Sequence, residues 1–193
     1  NLTKVINQSK NFSRIEQAPF RDCHNLTSLE GELVSDDHRC LVSEDGVLLL
    51  CVTAGLTEYT LPNNVQEVKH SALQYQNDIE KLTIPEGVTK FGNFAFANSD
   101  SLTEVTIPES ITDTGSFTFS GCKKLSKLNI YNDIIGRYEF NNCYSLTNIV
   151  IPEQVTIIDD NAFSSCIELR NVTFHDNLKT IGAGAFDNCA ITS

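Results

Sequence analysis

The residues of this chain with the most reactive side chains are seven cysteines and four histidines. Thiols and imidazoles act as nucleophiles and as zinc ligands, and thiols also form disulfides. None of the histidines lies in a motif with a nucleophile or a metal partner: His24, His38, His70 and His175. The triplet Asp36-Asp37-His38 is more typical of a solvated turn than of a metal-ligand cluster. The sequence also lacks H-E-x-x-H, G-x-S-x-G and a phosphate-binding glycine loop, so we predict no enzyme activity, no cofactor and no metal site.

Five of the cysteines recur at one phase of a longer pattern: Cys23, Cys122, Cys143, Cys166 and Cys189. Side chains stacked about 4.8 Å apart are farther apart than the roughly 3.8 Å between the Cβ atoms of a disulfide, and thiols in a line do not form a tetrahedral zinc site. We interpret these cysteines as buried free thiols that act as small hydrophobes. Cys40 and Cys51 lie outside the pattern and flank a predicted hairpin turn, so for this pair both a disulfide and two free thiols are open.

The cysteines are positioned by a unit of about 23 residues that repeats along the chain. Its pattern is L-x-x-L-x-I-P-x-x-V-x-x-I-G-x-x-A-F-x-x-C. Six consecutive copies begin at Leu56, Ile79, Leu102, Leu125, Leu146 and Leu169. A fixed period of this length is the signature of a solenoid, in which neighbouring coils stack and bury one continuous core.

Each part of the unit has a physical role. The alternation in L-x-x-L-x-I predicts a short strand with one buried face, and proline ends that strand because it has no N–H to donate. The Ile-Gly step predicts a turn, since glycine adopts backbone angles that other residues avoid. Phenylalanine in the Ala-Phe pair is expected to fill the coil, while alanine leaves room for it.

The coil that begins at Leu125 departs most from the pattern. It is two residues shorter than its neighbours and has Tyr131 in place of the proline. The alanine of the Ala-Phe pair is replaced by Glu139 in this short coil and by Thr118 in the coil before it. We expect the short coil to be locally distorted, without loss of the fold.

The repeat predicts one elongated domain over residues 1–193. Residues 1–25 read as a degenerate first coil, which keeps the phase at Leu2, Val5, Ile15, Phe20 and Cys23. Residues 26–55 form an irregular coil, in which two apolar runs on either side of Asp45-Gly46 predict a hairpin insertion. This hairpin either extends the sheet or covers one side of the solenoid, or it is a ligand-binding loop. Residues 56–193 hold the regular repeats.

The I-P, I-G, A-F and C positions of the repeat resemble the BspA-type leucine-rich repeat, also called the Treponema-type repeat, over nearly the whole chain. The expected fold is a mainly β, right-handed leucine-rich-repeat solenoid of about eight coils, with a parallel sheet on one face. The resemblance implies a secreted or cell-surface adhesion protein of a host-associated microbe, which binds extracellular host or microbial proteins noncovalently. The alternative is a non-adhesive scaffold or spacer domain that displays another module.

The strand positions that face solvent are the candidate protein-binding face, because leucine-rich repeats usually bind through this face. The face is rich in threonine, carries both charges and has no cluster of tryptophan or tyrosine. Its candidate residues are Glu58, Thr60, Glu80, Lys81, Thr83, Thr103, Glu104, Thr106, Lys127, Asn129, Asn148, Arg170 and Thr173. The alternative is that this polar face only keeps the sheet soluble.

The chain carries a net charge of −11 and has a sequence pI near 4.7. This argues against nucleic acid or an anionic membrane as a partner, because both attract cationic surfaces. No apolar run reaches the roughly 18 residues of a transmembrane helix, so we predict no membrane insertion. The sequence contains no methionine and no signal peptide, so we expect a mature or trimmed form.

A line of acidic residues follows the predicted strands: Glu86, Glu109, Asp133, Glu153 and Asp176. One interpretation is a calcium-binding edge, because calcium prefers several oxygen ligands. The other is that repulsion along this line opposes self-association.

Overall fold

A computed structural model describes residues 2–8, 20, 23 and 25–191. Within these residues the chain forms fifteen β-strands and no helix. The described part therefore contains no helix that could cross a membrane. Ile15 of the predicted first coil and His24 lie outside the described residues.

Each coil starts with a strand at its L-x-x-L-x-I segment, and these strands form the first row. Neighbours pair in parallel, with Glu58 opposite Lys81 and Lys81 opposite Glu104. The predicted parallel sheet is confirmed, and the number of strands in this row is close to the predicted number of coils. The strands are β1 (Lys4–Asn7), β2 (Ser28–Gly31), β5 (Glu58–Thr60), β7 (Lys81–Thr83), β9 (Glu104–Ile107), β10 (Lys127–Ile130), β12 (Asn148–Val150) and β14 (Asn171–Thr173).

A second row of parallel strands, which the sequence did not predict, forms at the V-x-x-I segment of the coils. Most of these strands have only two residues, because the turn after the conserved Ile-Gly position ends them. Two residues are too few for an alternation that sequence analysis can detect. The row contains β4 (Val47–Cys51), β6 (Glu67–Val68), β8 (Lys90–Phe91), β11 (Ile134–Ile135), β13 (Ile157–Ile158) and β15 (Thr180–Ile181).

The predicted hairpin extends the second row. Its first strand, β3 (Cys40–Val42), pairs antiparallel with β4, and β4 pairs in parallel with β6. Both faces of the hairpin are buried. One face contributes Cys40, Val42, Leu48 and Cys51 to the main core. The other packs Leu41, Leu49 and Leu50 into a smaller cluster with Leu26, Leu29 and Val52, so the hairpin closes the core at the irregular coil.

The centre of the main core is a ladder of stacked phenylalanines, one from each of the last five coils: Phe96, Phe119, Phe140, Phe163 and Phe186. Adjacent ring centroids are 4.9, 5.7, 5.4 and 5.4 Å apart, and adjacent planes differ by 16° at most. The first four rings are fully buried, whereas Phe186 in the last coil is partly exposed. The predicted inward position of the Ala-Phe phenylalanine is confirmed.

The glycine of the Ile-Gly step has a different role from the one predicted. Gly115 has a φ of 63°, but Gly92, Gly136 and Gly182 do not adopt positive φ, so the predicted reason is wrong for these three. They are required by close contact between coils instead. A Cβ on Gly92 would lie 2.7 Å from the carbonyl carbon of Lys69, and one on Gly182 would lie 2.5 Å from the backbone nitrogen of Asp160.

The predicted distortion of the short coil is confirmed, and both rows of strands are interrupted beside it. In the first row, β10 pairs with β9 but not with β12, which pairs with β14. In the second row, β8 is followed only by an isolated bridge between Lys90 and Asp113, and pairing resumes at β11. The two missing residues fall between Ile130 and Ile134, in the segment that connects the two rows.

Candidate functional site

The first-row face carries a row of alternating charges across four paired strands: Glu58, Lys81, Glu104 and Lys127. Lys127 Nζ lies 2.7 Å from Glu104 Oε1. The hydrogen bond from Lys127 lowers the pKa of the Glu104 carboxyl. Oppositely charged cross-strand neighbours favour this register, so the pairing of the sheet sets the pattern of charge.

A second line of polar side chains runs beside the charged row: Thr60, Thr83, Thr106 and Asn129. Asn129 Nδ2 donates to Thr106 Oγ1 and to Glu104 Oε1, both at 3.2 Å. These bonds connect the two lines on β9 and β10. The result is an ordered patch of charged, hydroxyl and amide side chains, which we call the charged face.

The remaining predicted face residues do not all join this patch. Glu80 and Thr103 lie just before β7 and β9 and are adjacent to it. Asn148 and Thr173 lie on β12 and β14, beyond the break in the first row, where the exposed Val150 interrupts the polar surface. Arg170 forms its ion pair with Glu168, at 2.8 Å, and not with a residue of a neighbouring coil.

Four of the repeat cysteines, Cys122, Cys143, Cys166 and Cys189, form the predicted ladder of free thiols, whereas Cys23 packs against the separate cluster of the irregular coil. Each Sγ donates to the carbonyl of the ladder phenylalanine one coil earlier, from Cys122 to Phe96 at 3.4 Å through to Cys189 to Phe163 at 3.2 Å. Burial raises the pKa of the Cys122 thiol to about 12. These thiols therefore remain protonated and packed, which makes them poor nucleophiles.

Cys40 and Cys51 form a disulfide across the hairpin. Next to it, the buried Tyr59 hydroxyl donates to Asp37 Oδ2 at 2.7 Å, and Ser35 Oγ donates to Asp37 Oδ1 at 2.5 Å. Burial raises the pKa of Asp37, but these hydrogen bonds outweigh it and leave the pKa below its ordinary value. Asp37 thus accepts hydrogen bonds that stabilise the turn. The described residues contain no group of three or more His, Cys, Asp or Glu side chains that could hold a metal ion.

Three aromatic residues that the repeat pattern did not point to form a ladder at the surface, which we call the outer aromatic ladder: Phe94, Phe117 and Tyr138. The rings stack at centroid distances of 4.7 and 4.3 Å, and all three residues are partly exposed. All three have positive φ, between 52° and 59°, as do Ser71, Asn161 and Gly184 at the same position of the other coils, so this conformation belongs to the turn of the repeat. The sequence feature that could have revealed this ladder is an aromatic residue immediately before the alanine position in three successive coils.

The interruption of the second row opens a cavity beside this ladder, which we call the gap groove. Its volume is about 250 Å³, far more than one water needs. Its lining is mostly polar and comprises residues 111–116, 132–134, Gly136, Arg137 and Asp159.

A buried carboxyl compensates for the lost strand pairing next to the groove. In regular coils the glycine N–H donates to the previous coil, as Gly92 N does to Val68 O at 2.7 Å. Gly136 N donates instead to Glu139 Oε2, at 2.5 Å. Burial raises the pKa of Glu139 to about 8, although the Gly136 bond opposes this shift, and Oε1 has no hydrogen-bond partner among the described residues.

Two rows of parallel strands around a ladder of apolar side chains define the chain as a leucine-rich-repeat solenoid. The sequence matches the BspA type leucine rich repeat region, in six copies, over residues 51–135 and 133–193. The chain therefore belongs to the BspA-type leucine-rich-repeat family. No curated protein matches it.

Solved structures with a similar fold come from several bacteria. A leucine-rich repeat protein from Eubacterium ventriosum is 23% identical, with a TM-score of 0.79 over 99% of this chain and 60% of that one. One from Bacteroides ovatus is 20% identical, with a TM-score of 0.67 over 98% of this chain and 42% of that one. A leucine rich cell surface protein from Faecalibacterium prausnitzii is 23% identical, with a TM-score of 0.64 over 99% of this chain and 47% of that one. The chain thus spans 60% or less of the length of each of these relatives.

Proposed function

We propose that the chain is a noncovalent protein-binding module of a secreted or cell-surface protein, and that it binds its partner across the charged face. The observation that carries this proposal is the ordered pattern on β5, β7, β9 and β10, where alternating charges run beside a line of hydroxyl groups. Because the side chains are fixed by the strand register, a partner meets a pre-organised surface. Complementary charge on the partner would then select it and increase its association rate.

The Cys40–Cys51 disulfide supports an extracellular location, because disulfides persist mainly in oxidising compartments. The fold similarity to a protein described as a cell surface protein agrees with this location. Family resemblance then suggests the partner: an extracellular protein of a host or of another microbe, bound by the surface of a host-associated microbe.

The test is binding of the purified chain to immobilised extracellular host proteins, including fibronectin and fibrinogen, measured by biolayer interferometry. The key variant exchanges two charges, Glu104→Lys with Lys127→Glu, which keeps an ion pair between β9 and β10 but reverses the charge pattern. The matched control, Glu153→Lys with Lys179→Glu, exchanges two exposed charges away from the first row. Both variants have the same net charge as the original chain.

We expect saturable binding to at least one protein, a loss of at least ten-fold in affinity in the Glu104/Lys127 variant, and no change in the control. Addition of Arg170→Glu should have little further effect, because Arg170 pairs with Glu168 and lies beyond the break in the first row. Binding that both exchanged variants retain would move the contact surface elsewhere. The lack of saturable binding at micromolar concentration would overturn the proposal and favour a spacer that displays another module.

A further inference from the structure

The row of charges on the charged face is complementary to itself when its order is reversed. From β5 to β10 the row reads Glu58, Lys81, Glu104 and Lys127. If a second copy of the chain faces it with the coils in the opposite order, Glu58 lies opposite Lys127 of that copy. In the same arrangement Lys81 lies opposite Glu104. Every charge in the row of each copy therefore meets a charge of opposite sign.

The polar side chains beside the charged row fit the same arrangement. The second line of the face contains Thr60, Thr83, Thr106 and Asn129. Reversal places Thr60 opposite Asn129 and the two central threonines opposite each other, so each group meets a hydrogen-bonding partner. Glu80, just before β7, falls opposite the neutral Thr103. No like charges meet anywhere on the face.

Other arrangements of two copies bring like charges together. If the coils of both copies run in the same order, each residue lies opposite itself, so Glu58 meets Glu58 and Lys81 meets Lys81. A shift of the reversed arrangement by one coil places Lys81 opposite itself and Glu58 opposite Glu104. Contacts between like charges are unfavourable, so the charge pattern selects both the antiparallel order and its register.

Half of the charges in the row have no partner within the chain. Glu58 and Lys81 are exposed neighbours on β5 and β7, yet neither side chain forms an ion pair or a hydrogen bond with a described residue. Lys127 and Glu104 are already paired, at 2.7 Å. The reversed arrangement joins the unpaired charges of one copy to the ion pair of the other, which produces a network of alternating charges. Networks of this kind stabilise more than isolated surface pairs do.

The geometry of the coils allows two such faces to meet. Between the coil that begins at Leu56 and the coil that begins at Leu102, backbone groups bond from coil to coil in the first row, in the second row and in the Ala-Phe turn. In this turn Phe96 N donates to Thr118 O at 2.9 Å. A solenoid curves when its coils are farther apart on one side than on another. Hydrogen-bonded spacing on three sides therefore leaves this part of the face without a deep concavity.

We propose that the charged face binds the charged face of a second copy of this chain, with the coils of the two copies in opposite order. This inference rests on the proposed function, because it uses the same surface and names the partner. Two arrays that project from facing cell surfaces run in opposite directions where they overlap, so the contact joins copies on different cells. Exposed ion pairs are individually weak, and the contact gains its strength from many copies on each surface.

The test is sedimentation equilibrium of the purified chain up to millimolar concentration. The first variant, Glu104→Lys with Lys127→Glu, makes the row read Glu, Lys, Lys, Glu, so that reversal brings like charges together. The second variant adds Glu58→Lys with Lys81→Glu, which inverts the whole row and makes it complementary to itself again. The matched control is the exchange Glu153→Lys with Lys179→Glu. All variants keep the net charge of the original chain, so the general repulsion between copies is the same.

We expect dimers with similar association constants for the original chain, the control and the fully inverted variant. The first variant should lose at least five-fold in its association constant. A mixture of the original chain and the fully inverted variant, with one of them fluorescently labelled, should contain no mixed dimers, because their rows place like charges opposite each other. Unchanged melting temperatures would show that the variants are folded.

The outcomes separate this inference from the proposed function. A monomeric original chain, equal association in the first variant, or no recovery in the fully inverted variant would each overturn the inference. Saturable binding of an immobilised host protein by a chain that stays monomeric would overturn this inference alone. Dimers that depend on the charge pattern, without binding of any host protein, would support the inference and replace the host protein as the partner of the charged face.

Discussion

The regular coils and the short coil hold their neighbours in different ways. In the regular coils, backbone groups bind directly from coil to coil, as in the bonds from Gly92 N to Val68 O and from Gly182 N to Ile158 O, both 2.7 Å. In the short coil, one side chain replaces such a backbone partner, and a side chain of the next coil adds a bond where the first row is broken. Glu139 accepts from Gly136 N at 2.5 Å, and Gln154 Nε2 donates to Ile130 O at 2.7 Å.

The stacking distances in the phenylalanine ladder do not change at the short coil. Phe140 of the short coil stacks on Phe119 at 5.7 Å and on Phe163 at 5.4 Å, distances close to those elsewhere in the ladder. The stacked core is therefore continuous across both breaks, which lie on opposite sides of the short coil: the second row breaks before it and the first row breaks after it. Side-chain packing stays constant along the array, while the backbone pairing adapts to the length of the connecting segment.

The largest effect is expected from removing the core of the short coil, which only one paired strand row joins to each neighbouring coil. Phe140→Ala should reduce the free energy of unfolding by about 3–5 kcal/mol, through lost burial and the cavity that remains. Because coils interact only with their neighbours, this change should also uncouple the two halves of the array, so that calorimetry shows two unfolding transitions.

The matched control is Phe163→Ala, at the next position of the ladder. It should have a similar energetic effect but leave one transition, because both rows, through β12–β14 and β13–β15, join its coil to the next one. A single transition in both variants, shifted by the same amount, would contradict the idea that the short coil depends more on packing than its neighbours do.

Glu139 should make the stability of the short coil depend on pH. Its pKa is about 8 in the folded chain, against an ordinary value of 4.5, because burial disfavours the charged form. The unfolded chain therefore binds fewer protons between these two values, and stability falls as the pH rises through this window and levels off above about pH 8. The full loss is on the order of 5 kcal/mol.

Glu139→Gln keeps the acceptor for Gly136 N and removes the titration. The measurement is denaturant unfolding at several values between pH 5.5 and 8.5, with the variant as the reference for all other titrating groups. The difference in unfolding free energy between the two chains should change in favour of the variant as the pH rises. A constant difference over this range would show that the Glu139 carboxyl is solvated.

The structure of the regular coils could be predicted from the sequence, because each position of the repeat has a local structural role that recurs in every coil. Alternation around Leu102 and Val105 predicts a buried strand face, and Phe119 and Cys122 keep their phase in each coil. The distortion at the short coil also follows from a change in length alone. The face containing Glu104 and Lys127 could be predicted as solvent-exposed strand positions, although its alternating charge row depends on register between strands.

The details of the irregular part could not be predicted, because they depend on which backbone groups lose their partners. Nothing in the sequence shows that Gly136 N lacks a carbonyl and that Glu139 would supply the acceptor. The same holds for Asn132, whose buried Oδ1 has no hydrogen-bond partner among the described residues. The outer aromatic ladder was detectable by spacing, but the stacking of Phe94, Phe117 and Tyr138 at the surface depends on the conformation of the turns, which the spacing alone does not reveal.

The smallest effect is expected at the side chain that bridges the break in the first row. Gln154→Ala removes the donor to Ile130 O and should reduce the unfolding free energy by about 1 kcal/mol, the usual net value of one hydrogen bond. Asn177 occupies the same position one coil later, where its Nδ2 donates to Glu153 O at 3.3 Å beside an intact strand pair. Asn177→Ala should therefore lower stability by only a few tenths of a kcal/mol, since that bond is exposed and longer. Denaturant unfolding of both variants measures the difference, and equal losses would mean that the Gln154 bond across the break contributes no more than a bond beside paired strands.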